Sequence, residues 1–173
     1  MKKPTQIDKY NCDAEDKNVA NNIKEQAMSF ALAIENNAIK LVDIKQWADS
    51  LIKTIDKPSI ELIETSISKT KAEALSALNK LSDGAIEGLS IQMLFPIFIQ
   101  ALNNKLVSPE QVSKALYFLA VNEQTPHPDA YEEMFCYWDD LDLANNGTYG
   151  NPQEVENNML IFLSRYSFSE ANQ

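Results

Sequence analysis

Apolar side chains recur three and four positions apart along this chain, and no segment shows sustained apolar/polar alternation, so the pattern favours helices over strands. Val19, Ile23, Ala27, Phe30, Ala31 and Ile34 trace one stripe through NVANNIKEQAMSFALAIENN, closed by the Asn36-Asn37 pair. Asp43 is expected to N-cap the next helix, IKQWADSLIKTI, which Pro58 terminates or helps restart. SIELIETSIS and KAEALSALNKL supply a third and fourth run, and Ser82-Asp83-Gly84 stops the series.

The second half does the same again. AIEGLSIQMLFPIFIQALNN is an apolar helix ending in Asn-Asn, with Pro96 an expected kink. After it, KLVSPEQVSKALYFLA aligns with KLVDIKQWADSLIKT: Lys40-Leu41-Val42 falls on Lys105-Leu106-Val107, Asp43 on Ser108, Gln46 on Gln111 and Leu51 on Leu116. Ser108, Pro109 and Gln111 read as N-cap, N1 proline and the N3 glutamine of a capping box. TPHPDAYEEMFCYWDDLDLA then answers to the third run and NPQEVENNMLIFLSRYS to the fourth. The prediction is an all-α chain of about eight helices in two tandem units, 19–83 and 85–166, after a polar leader (1–18) and before a tail (167–173). Each unit offers an apolar face that its neighbour covers, which points to a short α-solenoid or a pseudo-symmetric bundle.

Composition adds limits. With 173 residues and 45% hydrophobic content the chain can bury one domain's core. No apolar segment follows Lys2 and Lys3 as in a secretory signal, and the longest apolar run is interrupted by Pro96, so the expected location is cytoplasmic, without membrane contact. Cys12 and Cys136 form no CxxC and no disulfide framework.

Net charge is −10 and unevenly placed: residues 1–105 carry thirteen lysines against fourteen acids, whereas residues 106–173 carry eleven acids against Lys114 and Arg165 alone. Such a field repels nucleic acid and attracts basic proteins. The acids peak in DAYEEMFCYWDDLD, residues 129–142. At 100° per residue, a helix here is expected to bury Tyr131, Met134, Phe135, Trp138 and Leu141, leaving Asp129, Glu132, Glu133, Asp139 and Asp140 opposite, around Cys136 and Tyr137. An exposed helix face with only negative charges forgoes the usual i, i+4 pairing with lysine.

Carboxylates spread along one helix diverge, so they suit neither a hard cation nor a glycosidase-type acid pair. A faint calcium-loop likeness beginning at Asp142 fails at Ala144 and Gln153. The single histidine, His127, sits between prolines and completes no catalytic constellation; GxGxxG and Walker A sequences are absent. No catalytic residue, metal or cofactor is therefore expected, and the chain reads as a binding protein rather than an enzyme. The expected contact surface is Asp129, Glu132, Glu133, Tyr137, Asp139 and Asp140, with Tyr137 as its anchor and Tyr149 presented nearby by the loop ANNGTYGNP.

This small acidic helical chain, with ENNAIKLVDIKQWADSLIKTIDKPSIELIETSIS in its first unit, resembles the helical immunity proteins of bacterial contact-dependent growth inhibition and related polymorphic toxin systems. The likeness covers residues 19–122 in pattern and carries over no functional residue. It implies neutralisation of a cognate basic toxin domain, often a nuclease, by an acidic surface covering its active site. The alternative is a helical-repeat adaptor or self-associating structural protein that inhibits nothing.

Overall fold

The computed structural model describes residues 22–168; the expected leader, Val19 and Cys12 lie outside the described residues, as does the tail from 169 onward. Eight α-helices and no strand occur among the described residues: α1 (22–35), α2 (Leu41–Thr54), α3 (Ile60–Ile67), α4 (Lys71–Leu81), α5 (Glu87–Asn103), α6 (Pro109–Val121), α7 (Tyr131–Asn145) and α8 (Pro152–Arg165). A short 3-10 turn, Pro128–Ala130, precedes α7. The side chains of Ser59, Thr70, Ser108 and Asn151 each accept a backbone N–H from the first turn of α3, α4, α6 and α8, replacing a bond those groups would otherwise make only to water. No described helix is long and apolar enough to cross a membrane.

Two apolar clusters hold the helices together. The larger joins Ile91, Leu94, Phe95 and Phe98 of α5 to Val112, Leu116 and Leu119 of α6, Met134 and Tyr137 of α7, and Met159, Phe162 and Leu163 of α8. The smaller joins Ala27, Ala31 and Ile34 of α1 to Ile44 of α2 and Leu78 of α4. Ala33 of α1 belongs to the larger cluster, so α1 is shared between the two. Each fully buried Leu, Ile, Phe or Met stabilises the fold by about 1.5–3 kcal/mol before the cost of ordering it.

The expected role of Asp43 is overturned. Lys40 is the N-cap of α2, and Asp43 lies one turn inside, where its carboxylate accepts the Lys40 N–H at 3.4 Å. Ser108 and Gln111 do form the expected capping box of α6. The KLV match consequently pairs unlike positions: Leu41 and Val42 are helical, whereas Leu106 and Val107 lie in the linker before α6. Likeness appears three residues further on. Asn37 (φ 58°) and Lys105 (φ 54°) both turn left-handed after α1 and α5. The following amides, of Ala38 and Leu106, donate back to Ala33 and Ala101 at 2.8 Å, as in a Schellman ending. At this register the caps Lys40 and Ser108 correspond, as do Asp43 and Gln111. Helix starts are set by the turn before them, and a Lys-Leu-Val triplet slides past that turn without changing its own pattern.

Pro96 lies within α5 and has no N–H to give the carbonyl of Gln92. Phe168, after α8, supplies it: its amide donates to Gln92 O at 3.0 Å, tying the end of the described chain to the middle of α5.

Candidate protein-binding surface

Helix α7 follows directly on the 3-10 turn. His127 caps the 3-10 segment, its Nδ1 accepting the Asp129 N–H at 3.3 Å, and the same nitrogen lies 3.3 Å from the Asp129 carboxylate. His127 is thus a surface turn residue, and Asp129 belongs to that turn.

The buried side of α7 is Met134, Tyr137, Leu141 and Ala144. Tyr137 is only 7% exposed and packs on Phe162 of α8, centroids 5.4 Å apart, so it is not the exposed anchor the sequence suggested. Its hydroxyl lies 3.3 Å from both Glu133 Oε2 and the Asn158 carbonyl oxygen. Burial, followed by the adjacent Glu133 charge, pushes Tyr137 well above the ordinary tyrosine range. Conversely, Tyr131 and Phe135, expected in the core, are exposed, and Trp138 is only partly covered. The helix is turned toward α8 relative to the sequence expectation.

That turn puts Cys136 at the centre of the acidic face. The exposed thiol is raised by partial burial and then by Asp140, Glu132 and Asp139, whose carboxylates surround it. Among the described residues none of these three acids is in an ion pair. Glu133, on the edge of the same face, is paired: Arg165 Nη1 of α8 lies 2.7 Å from its Oε1. Between α7 and α8 runs an open groove of about 410 Å³, lined by Glu132, Glu133, Asp140, Asn158, Ile161 and Arg165 among others. Tyr149 is 78% exposed in the loop beyond the C-terminal end of α7, whereas Asp129 lies before its first turn. Fifteen helical residues separate them, about 22 Å along the axis.

The structure therefore brings Glu132, Asp139 and Asp140 together, ties Glu133 to α8, and leaves Asp129 and Tyr149 at opposite ends. Arg165, the chain's single arginine, was the missed member; its rarity in so acidic a half was the available signal. Also missed was an aromatic surface where Tyr117 and Phe118 of α6 meet Phe135 and Trp138 of α7. Among the described residues no three His, Cys, Asp or Glu side chains are placed to hold a metal ion. The acidic face offers fixed negative charge at a groove, which suits recognition of cationic side chains.

No protein family, curated protein or solved structure matches this chain.

Proposed function

We propose that the chain is an immunity protein, which binds and neutralises a basic toxin domain, a nuclease in the leading case, through the acidic side of α7. The observation that carries this reading is the exposed trio Glu132, Asp139 and Asp140 around Cys136, none of them in an ion pair among the described residues. Carboxylates left unpaired at a groove edge repel one another in the free protein, a cost that a cationic partner relieves. A nuclease active site, built to hold phosphates, presents the complementary charge. Protection then needs no catalysis: the acids cover the groove that would take the nucleic acid.

A helical adaptor is the second reading, favoured by Ile60, Ile63 and Ile67, exposed at i, i+3 and i+7 along α3 in the other half of the chain. The two readings separate in one experiment. The gene immediately upstream is expected to encode a secreted protein with a toxic C-terminal domain, and co-expression of this chain should protect cells from that domain. A Glu132→Lys, Asp140→Lys variant that folds normally should fail to protect. Full protection by that variant would remove α7 from the interface.

A further inference from the structure

The acidic reading leaves unused a second surface on the same helix. Tyr117 of α6 meets Phe135 and Trp138 of α7, each at 4.9 Å between ring centroids, and Phe118 meets Trp138 at 6.1 Å. Tyr131 stacks on Phe135 at 6.0 Å with its plane only 20° away. Among the described residues these rings are packed together yet uncovered: Phe118 is 49%, Tyr131 42% and Phe135 36% exposed. Mutual packing already limits their rotamers, so a partner that covers them gains apolar burial with little further ordering cost. Contiguous exposed apolar patches mark interaction sites, and aromatic residues are enriched in them.

Charge decides what covers the patch. Lys114 already rests over the Trp138 ring, 5.5 Å from its centroid, so the cluster accepts a cation face-on. The neighbouring turns of α7 carry Glu132, Asp139 and Asp142, all exposed. Residues 106–173 hold only two cations, Lys114 and Arg165, and both are engaged, on Trp138 and on Glu133. A second copy of this half would set acids against acids. A basic segment finds rings for its apolar side chain, ring faces for its guanidinium groups and carboxylates beside them.

We infer that the aromatic surface of Tyr117, Phe118, Tyr131, Phe135 and Trp138 is the anchoring core of the interface, and that its occupant is a protein segment combining arginines with a large apolar side chain. The acids beside it steer and orient this segment. The inference rests on the proposed binding of a basic toxin domain and adds which surface carries the affinity.

The test compares two full-length variants, Phe118→Ser, Phe135→Ser and Glu132→Lys, Asp140→Lys, each titrated with the toxin domain encoded upstream, at low and high salt. Because Phe118 and Phe135 are exposed, the first variant should keep its helical spectrum. Its affinity should fall about 30-fold or more at both salt concentrations, chiefly through faster dissociation. Wild-type affinity in the aromatic variant together with weakened binding in the acidic variant would overturn this inference and leave the immunity reading standing. Should the wild-type chain not bind that domain at all, the immunity reading falls, and a peptide alternating arginine and leucine serves as the probe instead. It should then shift the Trp138 indole resonance, not that of Trp47, and the shift should vanish in Phe118→Ser, Phe135→Ser; an unchanged shift, or none, would sink the inference. Sedimentation showing a wild-type dimer that this variant converts to monomer would equally overturn it, by making the occupant a second copy.

Discussion

Arg165 Nη1 of α8 lies 2.7 Å from Glu133 Oε1 of α7, while the other oxygen of the same carboxylate is 3.3 Å from the Tyr137 hydroxyl. One acid of the negative face is thereby turned inward, as a link between two helices rather than a contact for a partner. The ion pair is exposed, so water and salt screen it. Arg165→Ala and Glu133→Gln should each shift the urea midpoint slightly, and the coupling in a double-mutant cycle should shrink in high salt. A large, salt-independent coupling would show that the pair is a structural clamp.

Tyr137→Ala should destabilise the fold rather than weaken binding selectively. Removing an aromatic ring from a packed site costs about 3–5 kcal/mol, and the ring here is buried on Phe162. Tyr137→Phe keeps the ring and should cost about 1 kcal/mol through the hydroxyl's contacts with Glu133 and Asn158. Denaturant unfolding of both variants measures the difference.

The same tyrosine sets an alkaline limit. Its ionisation is raised in the folded protein by burial and by Glu133, so the fold favours the protonated form. That contribution is fully present below the ordinary tyrosine range near pH 10 and is lost as pH rises above it, because the unfolded chain then releases a proton that the folded one keeps. Tyr137→Phe should therefore flatten the fall in stability above about pH 10. Parallel stability-pH curves for variant and wild type would contradict the assignment.

Cys136 reports on the acids without any partner. Its thiol is raised by burial and by Asp140, Glu132 and Asp139, which disfavour the reactive thiolate. In a Cys12→Ser background, a neutral alkylating reagent should modify Cys136 more slowly than a model thiol, and Glu132→Gln, Asp140→Asn should speed the reaction. High salt should do the same in the parent protein. No response to either change would mean that the carboxylates do not converge on the sulfur.

Neutralising Glu132, Asp139 or Asp140 one at a time should slow association with the proposed basic toxin domain and flatten its salt dependence, leaving dissociation nearly unchanged. Stopped-flow or surface-binding kinetics at two ionic strengths would show it. Glu133 is a poor choice for this series, since changing it also releases Arg165.

The pattern of apolar spacing and capping residues sufficed for the all-helical class and for the start of α6 with its box at Ser108 and Gln111, since these depend on neighbours within four residues. It was sufficient too for locating the acids, because charge sits where the sequence puts it. The rotation of α7 was different. Apart from Leu143, its apolar side chains from Tyr131 to Ala144 cover about half the circumference at 100° per residue, wider than the strip one neighbouring helix can cover. Either edge of that arc could have faced inward. Packing of Phe162 and Asn158 from α8 drew Tyr137 in and left Phe135, Tyr131 and much of the α6–α7 aromatic surface in water. Local sequence carries helix periodicity and charge, whereas the choice among equally apolar faces is made by packing against another helix, and only the tertiary structure reveals it.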